Sequence, residues 1–288
     1  MKVYVTNPHG YCLGVINAIS EVTKLRKNNP TSKIYIFGML VHNKDVKDYL
    51  ENKDIITLSD TSDYKSVIDS LEDDSFLVFT AHGHQKEIED YALSKVLRVI
   101  DTTCPRVKEN LNLIIKELNE GNDVIYIGKN NHPETIAALS LGKNVYLYEQ
   151  GKDFDYNQIK ASAPLVINQT TLSHLDLIDI HKDIISHLNK AKIVDEICDA
   201  TQVRQIAVKN IPSDVSLIII VGGKESSNTL KLYEIAKKTH PNAKVIKILN
   251  ITELNKNDLL GHNYVAVASG TSTPIEVTNK IISYLKLI

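Results

Sequence analysis

The three cysteines of this 288-residue chain are spaced almost evenly, at Cys12, Cys104 and Cys198. Each one follows an aliphatic stretch typical of a strand and precedes an amphipathic stretch typical of a helix. A cysteine at a helix N-terminus feels the positive end of the helix dipole, which favours the thiolate, a nucleophile or metal ligand. Because three is an odd number and the spacing is wide, a disulfide framework is not indicated.

The chemistry of three such thiols has two interpretations. The chain lacks the closely spaced cysteine pairs of zinc sites, and three remote thiolates suit an iron–sulfur cluster held between domains. Because such clusters normally take four thiolates, three would leave one iron of a 4Fe-4S cluster open to water or substrate. An open iron is a Lewis acid, which favours an enzyme over an electron carrier. The alternative is that each cysteine is a small buried hydrophobe.

Two further sets of polar junctions recur in phase with the cysteines. The first set lies 28 to 30 residues after each cysteine, at His42, His132 and Ser226. The second set lies 66 to 74 residues after each cysteine, at His82, Thr170 and Ser272. Every junction stands where a predicted strand runs into a predicted helix. The chain therefore has a weak internal threefold repeat.

The elements that must position these junctions alternate regularly along the chain. Short aliphatic strands alternate with amphipathic helices, which predicts an α/β fold with parallel sheets covered on both faces. Ligand-binding groups gather at the carboxyl ends of parallel strands. The repeat predicts three similar small α/β domains, and if these pack around a pseudo-threefold axis, all of the junctions can face one central cavity. The predicted domains are residues 13–103, residues 104–197, and residues 198–288 together with the N-terminal strand 1–12.

The stretch NNHPETIAALSLG predicts a helix that begins at Pro133 and ends near Gly142. In one interpretation His132 caps this helix and Glu134 complements its dipole. In the other, His132 and Glu134 perform acid–base chemistry, since a carboxyl group at a sheltered cavity edge can carry protons. The residues alone leave both interpretations open.

Two later junctions are rich in hydroxyl and amide side chains. In VGGKESSN, the side chains of Ser226, Ser227 and Asn228 could bind an anion at a helix N-terminus, although the order of a Walker A loop is missing. In SGTSTPIEV, Ser272 stands just before Pro274. Either stretch could instead be a plain helix cap.

The composition excludes several classes of protein. Apolar residues make up 43% of the chain, charged residues make up 24%, and the formal net charge is -2. This balance does not suggest a surface for nucleic acid. The N-terminal stretch MKVYVTNPHG lacks the apolar region of a secretory signal, and the longest aliphatic run, LIIIV, is too short to span a bilayer. We expect a cytoplasmic protein with neither a nucleic-acid nor a membrane partner.

The junctions together resemble a known family. In the order of the LytB/IspH family, the 4-hydroxy-3-methylbut-2-enyl diphosphate reductases, the chain contains NPHGYCLGVINAI, VHNKDV, AHGH, DTTCP, GKNNHPE, NQTTLS, ICDATQVRQ, GGKESSN and GTSTP. The resemblance runs from residue 7 to residue 274. It implies a trefoil of three α/β domains around a 4Fe-4S cluster, in agreement with the repeat.

The resemblance also implies a role for each junction. Cys12, Cys104 and Cys198 would ligate three irons, and the fourth iron would take the substrate hydroxyl oxygen. Glu134 would supply protons, and Thr170 would orient the hydroxyl. The diphosphate would meet His42, His82, Ser226, Asn228 and Ser272, with His132 and Ser227 lining the same cavity.

The implied activity is a two-electron reductive dehydroxylation that yields isopentenyl diphosphate and dimethylallyl diphosphate. It is the last step of the methylerythritol phosphate route to isoprenoids, and its electrons would come from an external donor such as flavodoxin or ferredoxin. Two positions depart from the family pattern. Asn168 stands where a threonine is common, and His84 stands where a small or apolar residue is usual. We expect these departures to change only local hydrogen bonding.

Two other functions remain as alternatives. A three-cysteine 4Fe-4S dehydratase of the quinolinate synthase type would share the cluster but not the VHN, NHPE and SSN stretches in this order. A non-enzymatic iron–sulfur or thiol redox sensor would not need the hydroxyl-rich junctions. The remaining histidines have no phasing with the cysteines, and we expect structural roles for them.

Overall fold

The computed structural model describes all 288 residues of the chain. The strands in chain order are β1 (Lys2–Val5), β2 (Ile34–Phe37), β3 (Ile55–Leu58), β4 (Phe76–Phe79), β5 (Arg98–Asp101), β6 (Val124–Ile127), β7 (Val145–Tyr148), β8 (Leu165–Asn168), β9 (Lys192–Ile193), β10 (Leu217–Val221), β11 (Lys244–Ile248) and β12 (Tyr264–Ser269). The helices are α1 (Leu13–Asn28), α2 (Lys44–Glu51), α3 (Tyr64–Asp69), α4 (Lys86–Leu93), α5 (Pro105–Asn119), α6 (Pro133–Leu139), α7 (His174–His187), α8 (Asp199–Lys209), α9 (Ser227–Thr239), α10 (Lys256–Leu259) and α11 (Ile275–Leu287). No helix is long and apolar enough to cross a membrane.

The strands form three four-stranded sheets in which every pairing is parallel. Their strand orders are β3-β2-β4-β5, β7-β6-β8-β9 and β11-β10-β12-β1. The three orders are equivalent, and in the third sheet the N-terminal strand β1 takes the place of the fourth strand. The predicted α/β class with three similar parallel sheets is confirmed.

The central strands are buried on both faces, as their unbroken aliphatic sequences require. Strands β4, β6, β8 and β10 are buried along their whole length. Helices cover the sheets through separate apolar clusters, one of which packs Leu232 and Ile235 of α9 against Ile218 and Ile220 of β10. The rigid sheets thereby fix the ends of the strands, where the predicted junctions begin.

The chain divides into two compact units, although the sheets are three. The first unit comprises Met1–Ile16, Val41–Asp48 and Cys198–Ile288, and includes the sheet with β1. The second unit comprises Asn17–Leu40 and Tyr49–Ile197, and includes the other two sheets. The three predicted domain ranges, and the trefoil arrangement of those domains, stay predictions.

All three cysteines precede helices, as the sequence pattern predicts. Cys104 and Cys198 are the N-cap residues of α5 and α8, and Cys12 directly precedes α1. In sequence, each cysteine follows the fourth strand of its sheet: β1, β5 or β9. Two boundaries differ from prediction. The stretch KIVDEI, whose aliphatic residues predict a strand, forms only the two-residue β9, and α6 ends at Leu139, before the predicted Gly142. Ser140, whose hydroxyl donates to the carbonyl of Ala137, is the C-cap of α6.

Candidate active site

The second unit contains a buried acid that is held by a neighbouring threonine. The side chain of Glu134 lies in the first turn of α6, and the residue is 3% exposed. Thr170 donates its backbone N–H to Oε2 of Glu134 at 2.9 Å and its hydroxyl to Oε1 at 2.9 Å. Burial raises the pKa of Glu134 to about 7, although both hydrogen bonds act to lower it. A carboxyl group with this pKa can give or take a proton at neutral pH.

His132 lies beside this acid and caps α6, as one of the two interpretations of the sequence predicts. Its Nδ1 accepts a hydrogen bond from the backbone N–H of Glu134 at 3.2 Å, as the N-cap of α6. Because Nδ1 is the acceptor, a neutral His132 carries its proton on Nε2. The ring of His82 meets that of His132 edge to face, with centroids 5.9 Å apart. The second unit therefore brings together four of the predicted residues: His82, His132, Glu134 and Thr170.

The second unit also contains Cys104, a predicted cluster ligand, at the N-cap of α5. The backbone N–H of Cys104 donates to the carbonyl of Ala81 at 2.9 Å, which ties the start of α5 to the segment that carries His82.

Asn168, one of the two departures from the family pattern, is fully buried. Its Oδ1 accepts from the N–H of Glu196 at 3.1 Å, and its Nδ2 donates to the carbonyl of Gln169 at 3.1 Å. Both of its polar groups thus have partners in the protein.

The other departure, His84, lies in a different environment. Its ring stacks on Phe79, with centroids 3.9 Å apart, and faces the carboxylates of Glu89 and Asp101. Burial lowers the pKa of His84 despite these two acids. A cleft of about 230 Å³ beside it contains none of the predicted site residues.

In the first unit, the backbone of His42 meets two of the hydroxyl-rich junctions. Ser272 donates its hydroxyl to the carbonyl of His42 at 3.4 Å. Gly223 packs so closely that a Cβ atom there would collide with the same carbonyl oxygen. Burial lowers the pKa of His42, against the opposing charge of Glu225. Burial therefore favours the neutral form of this imidazole.

The start of α9 is lined with buried polar side chains. Ser226 is the N-cap, and its hydroxyl oxygen accepts from the N–H of Thr229 at 3.3 Å, which leaves its proton to donate elsewhere. Oδ1 of Asn228 accepts from the N–H of Thr271 at 3.0 Å, and its Nδ2 donates to Oγ1 of Thr201 at 3.3 Å. Ser227 is the first helical residue and is also buried. The first unit thus brings His42, Ser226, Ser227, Asn228 and Ser272 into adjoining segments.

Ser272 is not the helix cap that the sequence left open. The N-cap residue of α11 is Pro274, and no side chain caps this helix. The hydroxyl of Ser272 is directed instead to His42. Because Ser272 does not cap a helix, its hydroxyl keeps the functional interpretation of this stretch, a contact with substrate, open.

The first unit also carries two of the cysteines and a buried arginine that the sequence analysis missed. The N–H of Cys12 donates to the carbonyl of Thr271 at 3.0 Å. Arg204 of α8 is 4% exposed and donates to the carbonyls of Ala200 and Gly10, each at 2.8 Å. Burial lowers the pKa of Arg204, whereas the charges of Cys12 and Cys198 raise it. In sequence, a helical arginine gives no sign of burial.

Glycine spacing is a second signal that the sequence analysis did not use. Gly38, Gly128 and Gly222 each stand four residues before a predicted site residue: His42, His132 and Ser226. A Cβ atom at Gly128 would lie 2.5 Å from Oγ1 of Thr135, and one at Gly222 would collide with Oγ1 of Thr229. Both threonines are fully buried. The close approach of Gly128 to Thr135 and of Gly222 to Thr229 fixes the first turns of α6 and α9, which carry Glu134 and Asn228.

None of the three cysteines forms a disulfide, and each is of intermediate burial. No three histidine, cysteine or acidic side chains converge closely enough to hold a single metal ion. The predicted ligand set therefore stays a prediction. The donors themselves suit an iron–sulfur group, since three thiols lie at helix N-termini and two of them interact with a buried cation.

The fold is that of an α/β protein with three parallel sheets, in which the buried Glu134 suits proton transfer and the start of α9 suits a small anion. The sequence model of the LytB protein family matches residues 3–286. The chain belongs to this family.

Named relatives match the chain over nearly its whole length. It is 38% identical to the 4-hydroxy-3-methylbut-2-enyl diphosphate reductase of Bacillus cereus (strain B4264), over 99% of this chain and 90% of that protein. It is 35% identical to the same enzyme of Malacoplasma penetrans (strain HF-2), over 99% of this chain and 97% of that protein.

Solved structures give the same result. The E-1-hydroxy-2-methyl-but-2-enyl-4-diphosphate reductase of Plasmodium falciparum matches with a TM-score of 0.88 and 29% identity, over 99% of this chain and 88% of that one. A second structure, described as (E)-4-hydroxy-3-methyl-but-2-enyl diphosphate reductase, the terminal enzyme of the non-mevalonate pathway, matches with a TM-score of 0.70 and 27% identity, covering both chains completely. The resemblance found in the sequence motifs is confirmed.

Proposed function

We propose that this chain reduces 4-hydroxy-3-methylbut-2-enyl diphosphate to isopentenyl diphosphate and dimethylallyl diphosphate. One C–O bond breaks and one C–H bond forms, with the consumption of two electrons and two protons and the release of water. The names of the relatives support this reaction. The observation that carries it is Glu134, a buried acid whose pKa of about 7 suits proton transfer at neutral pH.

The cofactor of this reaction would be a 4Fe-4S cluster held by Cys12, Cys104 and Cys198. Three ligands would leave one iron free for the substrate hydroxyl. When bound, the cluster supplies electrons one at a time and polarises the C–O bond as a Lewis acid. The three thiols outside any disulfide and the buried charge of Arg204 support an anionic group of this kind.

The diphosphate would be bound largely by neutral donors. The hydroxyl of Ser226 keeps its proton for an anion because its oxygen already accepts from the backbone. Ser227 and Asn228 lie in the first turn of α9, where unpaired N–H groups and the helix dipole favour negative charge. The ring of His42 would add a further donor, and Ser272 would add one by turning its hydroxyl proton from the carbonyl of His42 to the anion. We expect His82 to act as a donor as well.

Remote binding of the diphosphate would hold the reacting carbon in place. Neutral donors and titratable histidines can hold such an anion without a fixed cationic clamp.

Glu134 would protonate the departing oxygen. Its two hydrogen bonds from Thr170 stabilise the carboxylate that remains after transfer. His132, whose Nδ1 is occupied by the backbone of α6, would present its Nε2 proton to the substrate. The diphosphate itself is a second source of the proton that reaches carbon. The external electron donor would be a flavodoxin or a ferredoxin.

The test is the oxidation of reduced methyl viologen by anaerobically purified, iron-loaded protein, with and without 4-hydroxy-3-methylbut-2-enyl diphosphate. The proposal predicts oxidation that depends on the substrate. Glu109→Gln, which alters an exposed acid of α5, serves as the matched control for Glu134→Gln. Absence of oxidation by a preparation with an intact cluster would exclude the reductase, and quinolinate synthesis would be the next assay.

A further inference from the structure

Arg204 is a buried cation without an acidic partner. The residue is 4% exposed and lies in the second turn of α8, the helix that begins after Cys198. Its Nη1 donates to the carbonyl of Ala200 and its Nη2 to the carbonyl of Gly10, each at 2.8 Å. Its Nε is buried and makes no hydrogen bond. Carbonyl oxygens solvate a guanidinium, but they do not neutralise its charge.

A charge removed from water in this way requires compensation, because burial strongly disfavours the ionised form of an isolated group. The titratable groups whose charges act on Arg204 are the thiols of Cys12 and Cys198. As neutral thiols they would compensate nothing. As thiolates that hold an anionic group, they would supply the missing negative charge.

The two carbonyl contacts place this cation between the segments that carry these cysteines. Gly10 precedes Cys12 by two residues, and Ala200 follows Cys198 by two residues. Gly10 is itself fixed, since its N–H donates to Oγ of Ser269 at 3.0 Å. One guanidinium therefore connects two ligand-bearing segments from parts of the chain that are 194 residues apart.

We propose that Arg204 is the counter-charge of the group bound by Cys12 and Cys198, and that it raises the reduction potential of that group. The inference rests on the cofactor assigned in the proposed function. An added electron increases the negative charge of a cluster, and a nearby cation in a site of low dielectric stabilises the reduced form. Arg204 is thus a positioning and tuning residue that does not touch the substrate.

The third cysteine offers a matched control. Arg106 follows Cys104 by two residues, but its side chain is 45% exposed and pairs with Glu109 at 3.1 Å. Because water and the neighbouring acid screen this charge, its removal should leave the cluster potential unchanged. Arg106→Gln and Arg204→Gln therefore remove the same charge by the same substitution in different environments.

The experiment is an anaerobic redox titration of the iron-loaded full chain without substrate, followed by electron paramagnetic resonance. Since no turnover is measured, failure of the reductase reaction and failure of this inference are distinguishable. For Arg204→Gln we expect reduction to become at least tenfold less favourable, a shift of about 59 mV for a one-electron couple. Arg204→Lys keeps the charge but not the planar two-point contact, so its potential should stay closer to that of the wild type.

Iron release to a chelator is the second measurement, in case a variant holds its cluster poorly. Retention of iron by Arg204→Lys but not by Arg204→Gln, with unchanged circular dichroism of the apo chains, also supports a counter-charge. The inference is overturned if Arg204→Gln titrates like the wild type or if Arg106→Gln shifts the potential equally. Loss of iron from both Arg204 variants would also overturn it, because geometry and not charge would then be the requirement. Wild-type protein that binds no cluster would contradict the proposed cofactor and this role together.

Discussion

Glu134 and Thr170 are joined by two hydrogen bonds of 2.9 Å, one from the backbone N–H of Thr170 and one from its hydroxyl. Both bonds favour the charged carboxylate, whereas burial favours the neutral acid. Burial is the larger effect, and the pKa of Glu134 settles at about 7. Both protonation states are therefore populated at neutral pH, as a group that donates a proton in every turnover requires.

Replacement of the acid should abolish most turnover without loss of the cofactor. General acid catalysis typically contributes a factor of 100 to 10,000, so we expect kcat of Glu134→Gln to fall by at least about 100-fold. The KM for substrate should change by less than about threefold, since glutamine keeps the shape of the side chain. Steady-state viologen oxidation and iron content measure both effects. Near-normal turnover of Glu134→Gln would show that Glu134 does not supply the proton.

Removal of the Thr170 hydroxyl should move the pH dependence of turnover. Thr170→Val deletes one donor to the carboxylate, so the pKa of Glu134 should rise further above about 7. Because the protonated acid is the active form, turnover falls as pH rises through this pKa, and the alkaline limb should shift to higher pH. Thr171→Val, at the adjacent threonine, is the control. If the alkaline limb of the pH profile is unchanged in Thr170→Val, the observed pH dependence does not come from Glu134.

The same acid should make the stability of the apo chain depend on pH. The pKa of Glu134 is about 7 in the folded chain, against an ordinary value of 4.5. The folded state therefore holds this proton more tightly, and unfolding releases it between these two pH values. The free energy of unfolding contributed by Glu134 falls as pH rises through this window, by about 3 kcal/mol in total.

Urea unfolding of the wild type and Glu134→Gln across this window measures the difference directly. The variant should lack this part of the pH dependence, since glutamine does not titrate. Parallel stability profiles for the two proteins would show that the carboxyl group is not protonated preferentially in the folded state.

Gly223 should be important for the proposed diphosphate site because its Cα faces the backbone of His42. A Cβ atom there would collide with the carbonyl oxygen that also accepts from Ser272. We expect Gly223→Ala to cost about 1–3 kcal/mol of stability, the usual range for overpacking. Displacement of His42 should raise the KM for substrate by about tenfold or more, with a smaller effect on kcat.

Gly142→Ala is the control for this substitution, since its new Cβ would meet only the flexible end of Leu118, at 3.1 Å. Steady-state viologen oxidation over a range of substrate concentrations, together with thermal unfolding, measures the two effects separately. A KM equal to that of the wild type in a folded Gly223→Ala variant would exclude a role for this contact in binding.

Much of the fold could be predicted because it depends on local patterns. Aliphatic stretches alternating with amphipathic ones revealed the strands, and the even spacing of Cys12, Cys104 and Cys198 revealed that three similar sheets repeat. The length of β9 could not be predicted, since the stretch KIVDEI pairs with β8 through only two residues. The end of α6 also escaped prediction, because it is capped at Ser140 before the glycine is reached.

The site was predicted less completely, because part of it depends on contacts between distant segments. Nothing in ICDATQVRQ distinguishes Arg204 from a solvated helical arginine. Its burial follows from a carbonyl at Gly10, far away in sequence. Likewise, the raised pKa of Glu134 depends on the burial of a helix start that a sequence pattern does not measure. The candidate residues could be found from spacing, but their electrostatics could not.

The most direct test of the central claim is the identity of the product. Iron-loaded protein would be reduced anaerobically and mixed with 4-hydroxy-3-methylbut-2-enyl diphosphate, and the diphosphates would be analysed by mass spectrometry. We expect isopentenyl and dimethylallyl diphosphates that have lost the hydroxyl oxygen of the substrate. Recovery of unchanged substrate from reduced protein with an intact cluster would contradict it.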